Sequence, residues 1–447
     1  MPALPEIVAH TEAHPLADGE VRLLGAVRQV TGAMTRVEIA GQRLLVDCGV
    51  AQGGGARVAF PDAARDVDAV VLTHGHLDHI GNVPVLLEHG FDKPIYATPA
   101  TLAIAKISLE DSLGMQRVSD REVARFLARF DALARPLPYE RRADVLGLSL
   151  TLHDAGHILG SASAEIESDK SRIILSGDLG RPNSPILRDA NTSWKSGKPV
   201  DVVVMECTYG SREHSHSHEQ IEHDLEAILK DAIARKAKVL IPAFAIGRTQ
   251  TLLWFLNNLV ESKRIPSLPV AIDTPMGLAI TDTYNEFRPL FDKESLALLA
   301  QGDDPLDFEN LFRVHRGKES ARLHDMPGPM IIIAGSGMVT GGRIIGHFRE
   351  GLPSDRTTVL FVGYQGVGTT GRRIQEAAEH GGSVWLDGAD VPVRARVATL
   401  KGLSAHADRK ELLGWMRAIP AARRVALHHG DLEAQDAFAA WAPQQPG

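Results

Sequence analysis

Residues 70–81 read VVLTHGHLDHIG, and His74, His76, Asp78 and His79 fall within six positions of that stretch. The run before it, Val67 and Ala69 to Leu72, is apolar and reads as a buried strand. A strand end followed by a tight glycine-containing turn aims such side chains at one point. Imidazole nitrogen and carboxylate oxygen suit a divalent ion such as zinc. The spacing splits the four residues into two pairs, His74 with His76 and Asp78 with His79, one pair for each of two ions. A surface histidine cluster is the plainer alternative. It loses weight because the cluster closes a strand and has distant partners.

Those partners share one placement. LLVDCG offers Asp47, DAGHILGSA offers His157, LSGDLG offers Asp178, and ALHHGD offers His428 and His429. Each lies at or just beyond the end of an apolar strand, with glycine close by. Strand ends on one edge of a sheet converge on one cleft, so the set carries more than any member. Neighbouring side chains on a strand point to opposite faces, so only one of His428 and His429 should reach a shared centre.

The totals narrow the class. A chain of 447 residues exceeds one simple core, so two domains are expected. Apolar content of 44% and charged content of 23% suit a globular protein, and no apolar run reaches membrane-spanning length. The N-terminus lacks a basic-then-apolar signal pattern, and residues 1–20 read as a polar, proline-containing arm. Two cysteines, Cys48 and Cys207, make no disulfide framework, which suits a reducing cytoplasm. Net charge of −8 argues against a general nucleic-acid coat protein but not against local binding of a polyanion.

Residues up to about 208 read as short strands with helices near 82–90, 99–115 and 119–133, a sandwich of sheets with helices outside. From Tyr209 strands and helices alternate, as in a parallel α/β sheet, and from about 379 short strands return. The expected division is therefore 1–208, 209–378 and 379–447, an α/β domain inserted into a metal-binding domain. HSHSH at 214–218 reads as a helix start capped by Ser215 or Ser217 rather than as a metal site.

Together these segments resemble the metallo-β-lactamase superfamily, and the full chain resembles its β-CASP branch of nucleases. Family motifs match Asp47; His74, His76, Asp78 and His79; His157; and Asp178. Branch motifs match Glu206 in MECTYG, His406 in SAHAD, and His429. The nearest likeness is to short bacterial β-CASP ribonucleases, related to ribonuclease J and the pre-mRNA 3′-end cleavage endonuclease. The resemblance implies an αββα metallo-β-lactamase sandwich with an inserted parallel α/β β-CASP domain. It implies two zinc ions, with manganese as the alternative metal. One would be held by His74, His76, His157 and Asp178, the other by Asp78, His79, Asp178 and His429. It makes Asp47 an orienting group, His406 a general acid and Glu206 its partner. Implied too is hydrolysis of single-stranded RNA to 5′-phosphate and 3′-hydroxyl ends by a bridging hydroxide, endo- or 5′-exonucleolytic. Dimers are common among relatives, which makes a homodimer one assembly to expect. A DNA nuclease of the same branch, a small-molecule hydrolase of the same fold and a non-catalytic scaffold are the rival classes. The histidine of the last motif favours RNA over DNA.

Substrate contacts are expected after later strands. IIIAGSGMVTGGR offers Ser336, Gly337 and Arg343 at a glycine-rich turn before a helix, and PAFAIGRTQ offers Arg248 at a helix entry. Ser404 and Lys401, in KGLSAHADRK, are weaker candidates. A glycine-requiring turn and a structural ion pair are the respective alternatives for the turn and for Arg248.

Overall fold

The computed structural model describes residues 4–51 and 59–446. The chain divides into two units, residues 1–213 with 405–447, and residues 214–404.

The first unit is built on two seven-stranded sheets. One runs in sequence order from Ala13–Leu16 through Gly19–Gly25, Met34–Ile39, Gln42–Val46, Ala69–Val71 and Ile95–Ala97 to Ala134–Pro136. The other is ordered Glu6–Val8, Ala422–His428, Val200–Glu206, Arg172–Leu175, Ala162–Glu167, Leu148–Asp154, Ala143–Val145. Both faces of the central strand Val200–Glu206 are covered, which is why Val202 to Met205 are all apolar. Val202 and Val204 face Val37, Leu44 and Val46 between the sheets, whereas Val203 and Met205 pack with Leu412 and Trp415 of the helix Arg409–Ala418. On the far side Leu45, Val70 and Leu72 pack with Leu86, Leu102 and Leu109 from the helices Val83–Glu88 and Pro99–Met115. Helices thus cover both outer faces, giving the αββα order. Residues 1–20, expected as an arm, are instead largely folded in: Glu6–Val8 edges one sheet and Ala13–Leu16 the other.

Direction decides where the site falls. Gln42–Val46 and Ala69–Val71 are parallel neighbours. Arg172–Leu175, Val200–Glu206 and Ala422–His428 are also mutually parallel. Leu148–Asp154 runs the same way as Arg172–Leu175, because both are antiparallel to Ala162–Glu167. Their C-terminal ends therefore bring Asp47, the 74–79 turn, His157, Asp178, Glu206 and His429 to one edge.

The second unit is a six-stranded parallel sheet, ordered Leu311–Arg313, Val270–Asp273, Met330–Ala334, Lys238–Pro242, Thr357–Phe361, Arg396–Thr399. A hairpin, Ser383–Leu386 with Ala389–Pro392, lies beside it in sequence. The expected limits of the inserted domain, 209 and 378, differ from these. The unit runs to Ser404 because Arg396–Thr399 completes its sheet. HSHSH leads into the helix His218–Ala234, whose first turn is capped by Ser217. No described helix is long and apolar enough to cross a membrane.

Candidate metal centre

Four ring and carboxylate atoms meet beside the 74–79 turn. His74 Nε2 lies 3.1 Å from His76 Nδ1, and His157 Nε2 lies 3.2 Å from the same atom. Asp178 Oδ2 stands 3.5 Å from His74 Nε2 and 3.6 Å from His157 Nε2. A second group adjoins it. His79 Nε2 is 3.2 Å from His429 Nε2 and 3.2 Å from Asp178 Oδ1, and His429 Nε2 is 3.4 Å from Asp78 Oδ2. Asp178 thus turns one oxygen to each group.

These spacings fit metal ions better than hydrogen bonds. A tetrahedral ion with bonds of about 2.0–2.1 Å sets its ligand atoms roughly 3.3 Å apart. Asp178 Oδ1 is buried and accepts no hydrogen bond, which is costly without a cation to meet it. Burial holds His74 and His157 well below the ordinary imidazole range, so both are neutral with a lone pair to give. Burial opposes charge on His79 as well, yet the carboxylates of Asp178 and Asp47 raise it well above that range. A proton there stands where a cation would. Asp78 and Asp178 are themselves ionised against the burial that opposes them, held low by His429 and His79.

The outer ring nitrogens are fixed, which selects the inward atom. His79 Nδ1 donates to Asp47 Oδ2 at 2.7 Å. Asp47 also accepts from the Thr73 amide and hydroxyl, each at 2.8 Å. With its proton given to Asp47, the Thr73 hydroxyl accepts from His74 Nδ1 at 3.1 Å. His157 Nδ1 faces the Ala405 carbonyl at 3.3 Å. The Thr208 hydroxyl donates to the His429 carbonyl and faces His429 Nδ1 at 3.1 Å. Thr73 and Thr208 are positioning groups that sequence reasoning missed; their only signal is that Thr73 precedes His74 and Thr208 lies two residues after Glu206. Asp47 and His429 hold left-handed backbone, φ 62° and 47°, so both strand ends turn sharply into the site.

His428 points elsewhere, as alternation requires. Its Nε2 donates to the Gly25 carbonyl at 2.7 Å, and burial lowers it to about 3. Glu206 and His406 do meet. His406 Nδ1 donates to Glu206 Oε1 at 3.0 Å, and Glu206 also accepts from the Leu179 and Thr208 amides. Burial disfavours the His406 cation, but Glu206 outweighs it and lifts the group to about 9. The His406 ring lies 4.6 Å from that of His157 and stacks on Tyr209. Cys48 and Cys207 are buried free thiols pushed up by burial.

The expected substrate residues belong to the second unit. Arg343 donates to Asp273 at 2.6 Å and to the carbonyls of Val314 and His315, so three of its five N–H groups brace the turn. The Ser336 amide donates to Gly341, and its hydroxyl accepts from the Thr340 amide, so the turn closes on itself. Gly337 is buried under Phe244. Arg248 opens the helix Arg248–Glu261, and Lys401 and Ser404 follow the strand Arg396–Thr399.

Comparison with known proteins agrees with this geometry. The metallo-beta-lactamase superfamily model matches residues 28–243, the Beta-Casp domain model 249–374, and that of the Zn-dependent metallo-hydrolase RNA specificity domain 390–446. The chain is 37% identical over 415 residues to "Ribonuclease TTHA0252" of Thermus thermophilus, covering 92% of each. It is 30% identical over 429 residues to "Transcription termination factor FttA" of Methanocaldococcus jannaschii, covering 92% of this chain and 67% of that one. A crystal structure of a protein of unknown function from Enterococcus faecalis shares the fold, at a TM-score of 0.55 and 11% identity over 94% of this chain and 96% of that one.

Proposed function

This chain belongs to the metallo-beta-lactamase superfamily and carries its Beta-Casp domain, and on that premise we propose that it is a zinc-dependent ribonuclease cutting single-stranded RNA to 5′-phosphate and 3′-hydroxyl ends. The observation that carries the reading is the pair of ligand groups sharing Asp178, with Glu206–His406 beside them. Two divalent cations bound there would activate water and stabilise charge on the attacking and leaving oxygens. His74, His76, His157 and Asp178 would hold one; Asp78, His79, His429 and Asp178 would hold the other.

The chain's own groups supply the rest. A phosphodiester leaves as an alkoxide that needs a proton. His406 keeps Nδ1–H on Glu206, so its other nitrogen carries the proton to be given, and Glu206 keeps that proton in place at neutral pH. The RNA specificity domain and the ribonuclease named among the relatives support RNA as the polymer.

The test is digestion of a 5′-labelled RNA carrying a triphosphate or a monophosphate, read at nucleotide resolution beside a DNA of the same sequence. Internal products mean an endonuclease, and mononucleotides released from the 5′ end mean an exonuclease. Asp78→Asn and His79→Ala abolish cleavage with the fold intact. Full activity in either variant at verified metal content overturns the mechanism, and preferential cleavage of the DNA overturns the substrate.

A further inference from the structure

Among the described residues nine large apolar side chains are exposed, and three of the nine share one place. Phe244 is 44% exposed, Tyr364 66% and Val367 89%. Phe244 follows the strand Lys238–Pro242 by two residues, and Tyr364 follows Thr357–Phe361 by three. These strands are parallel neighbours, so the two loops leave the sheet side by side at its C-terminal edge. Open α/β sheets bind ligands at that edge. A chain with only 13 Phe and 5 Tyr places two of them there in solvent.

The loops hold these aromatics in place. The Phe244 carbonyl accepts from the Thr249 amide at 3.2 Å and its hydroxyl at 2.8 Å. The Phe244 ring lies on Gly337, where a Cβ would sit 2.8 Å from two ring carbons, and a Cβ on Gly363 would lie 4.0 Å from the same ring. Gln365 is 3% exposed, and its amide nitrogen donates to the carbonyls of Gly337, Gly363 and Tyr364 at 3.0, 3.2 and 3.3 Å. It laces the Tyr364 loop to the turn under Phe244. Of the three exposed side chains only Val367 is aliphatic, and glycines at 337 and 363 lie against the Phe244 ring. A protein partner would want contiguous aliphatic area, whereas a flat base needs a bare ring face.

We propose that Phe244 and Tyr364 form a stacking platform for bases of single-stranded RNA. The proposal rests on reading the chain as a ribonuclease. Stacking of a base on an aromatic side chain is worth about 1–3 kcal/mol and tolerates any sequence, because every base has a π-face.

The test uses the full chain carrying Asp78→Asn, so that RNA survives the titration. The probe is a single-stranded oligoribonucleotide containing 2-aminopurine, whose fluorescence falls when it stacks on an aromatic ring. The parent quenches the probe on binding. Tyr364→Ala, and Phe244→Leu, which keeps bulk on Gly337 but loses the π-face, each lose quenching and bind roughly 5- to 100-fold more weakly. Phe244→Tyr keeps both. Melting temperature and metal content, measured on the same proteins, establish that they are folded. Undiminished affinity and quenching in a folded Phe244→Leu/Tyr364→Ala variant overturns the platform. Platform-dependent binding, together with no RNA cleavage by the chain that keeps Asp78, overturns the ribonuclease reading instead and leaves the platform standing.

Discussion

At the scale of the residue, Thr208 shows how the proposed ligands are tuned by groups that touch no metal. Its hydroxyl proton goes to the His429 carbonyl, so its oxygen receives His429 Nδ1–H and leaves Nε2 for an ion. Thr208→Val keeps the volume and removes that partner. Loss of such an outer partner costs about 10- to 100-fold in metal affinity. Competition titration with a chromogenic chelator should show one site weakened and the other unchanged; two unchanged sites would refute the assignment. Asp154 carries a different prediction. Burial lifts its carboxyl to about 7 against the Gly156 amide and Arg188, which oppose the rise. A folded-state value above the unfolded one means the native state binds the extra proton. The associated stability is present below about pH 4 and lost as pH rises through about 7. Asp154→Asn keeps an oxygen for the Gly156 amide and removes the slope. It should be more stable than the parent at pH 8, by on the order of 4 kcal/mol, and match it near pH 4. An unchanged difference across that range would exclude the carboxyl as its source. The histidines and aspartates were legible in the sequence because their chemistry and strand-end placement are unusual together. Thr73 and Thr208 were not, since a hydroxyl acquires this role only once a particular ring nitrogen faces it.

At the scale of the element, the site depends on backbones that touch. Leu179–Arg181 runs against Ala405–Ala407: Ala407 donates to the Leu179 carbonyl and Arg181 to that of Ala405. The same segment presses on the His157 loop, where a Cβ on Gly180 would lie 1.7 Å from the Gly156 carbonyl oxygen. Gly49 does likewise under the 74–79 turn, with its missing Cβ 1.7 Å from the Asp78 carbonyl oxygen. Gly180→Ala must therefore push His157 and His406 apart together. We expect about 1–3 kcal/mol of destabilisation and a loss of RNA cleavage larger than the loss of metal. Thermal melts, metal analysis and rates on the same sample check it; parental rates would mean that the splint does not position His406. Strands were the legible elements, because the two-sided burial of Val202–Met205 or Met330–Ala334 writes an unbroken apolar run. Less legible was Glu6–Val8, a three-residue edge strand with little to bury; Arg396–Thr399 was legible as a strand, but its membership of the inserted sheet was not. That second case is why the expected domain limit fell short. The helices Pro275–Glu286 and Leu432–Trp441 also lacked a clean apolar stripe to announce them.

At the scale of the whole molecule, the two units differ in what their cores ask of a metal. The second unit closes its sheet with apolar packing on both faces and needs no ion for it. The first unit buries Asp47, Asp178 and Glu206 together with His74, His79, His157 and His429 at one edge of its sandwich. Emptied of cations, that edge keeps ionised carboxylates in a place where burial opposes their charge. Metal binding to the native state adds stability that grows with the logarithm of free metal, about 4 kcal/mol at a thousandfold excess over the dissociation constant. The gain belongs to the unit that supplies the ligands. Chelation should accordingly raise hydrogen exchange in residues 172–178 and 422–429, which carry Asp178 and His429, and leave 238–242 and 330–334 protected. The sandwich core between the sheets is apolar and does not depend on the ions, so the first unit should loosen at this edge before it unfolds. Mass spectrometry of exchange with and without chelator checks this directly. Equal loss of protection in all four segments would mean that the ions stabilise something other than the proposed site, and no loss in any would mean that the ligand groups hold no metal at all.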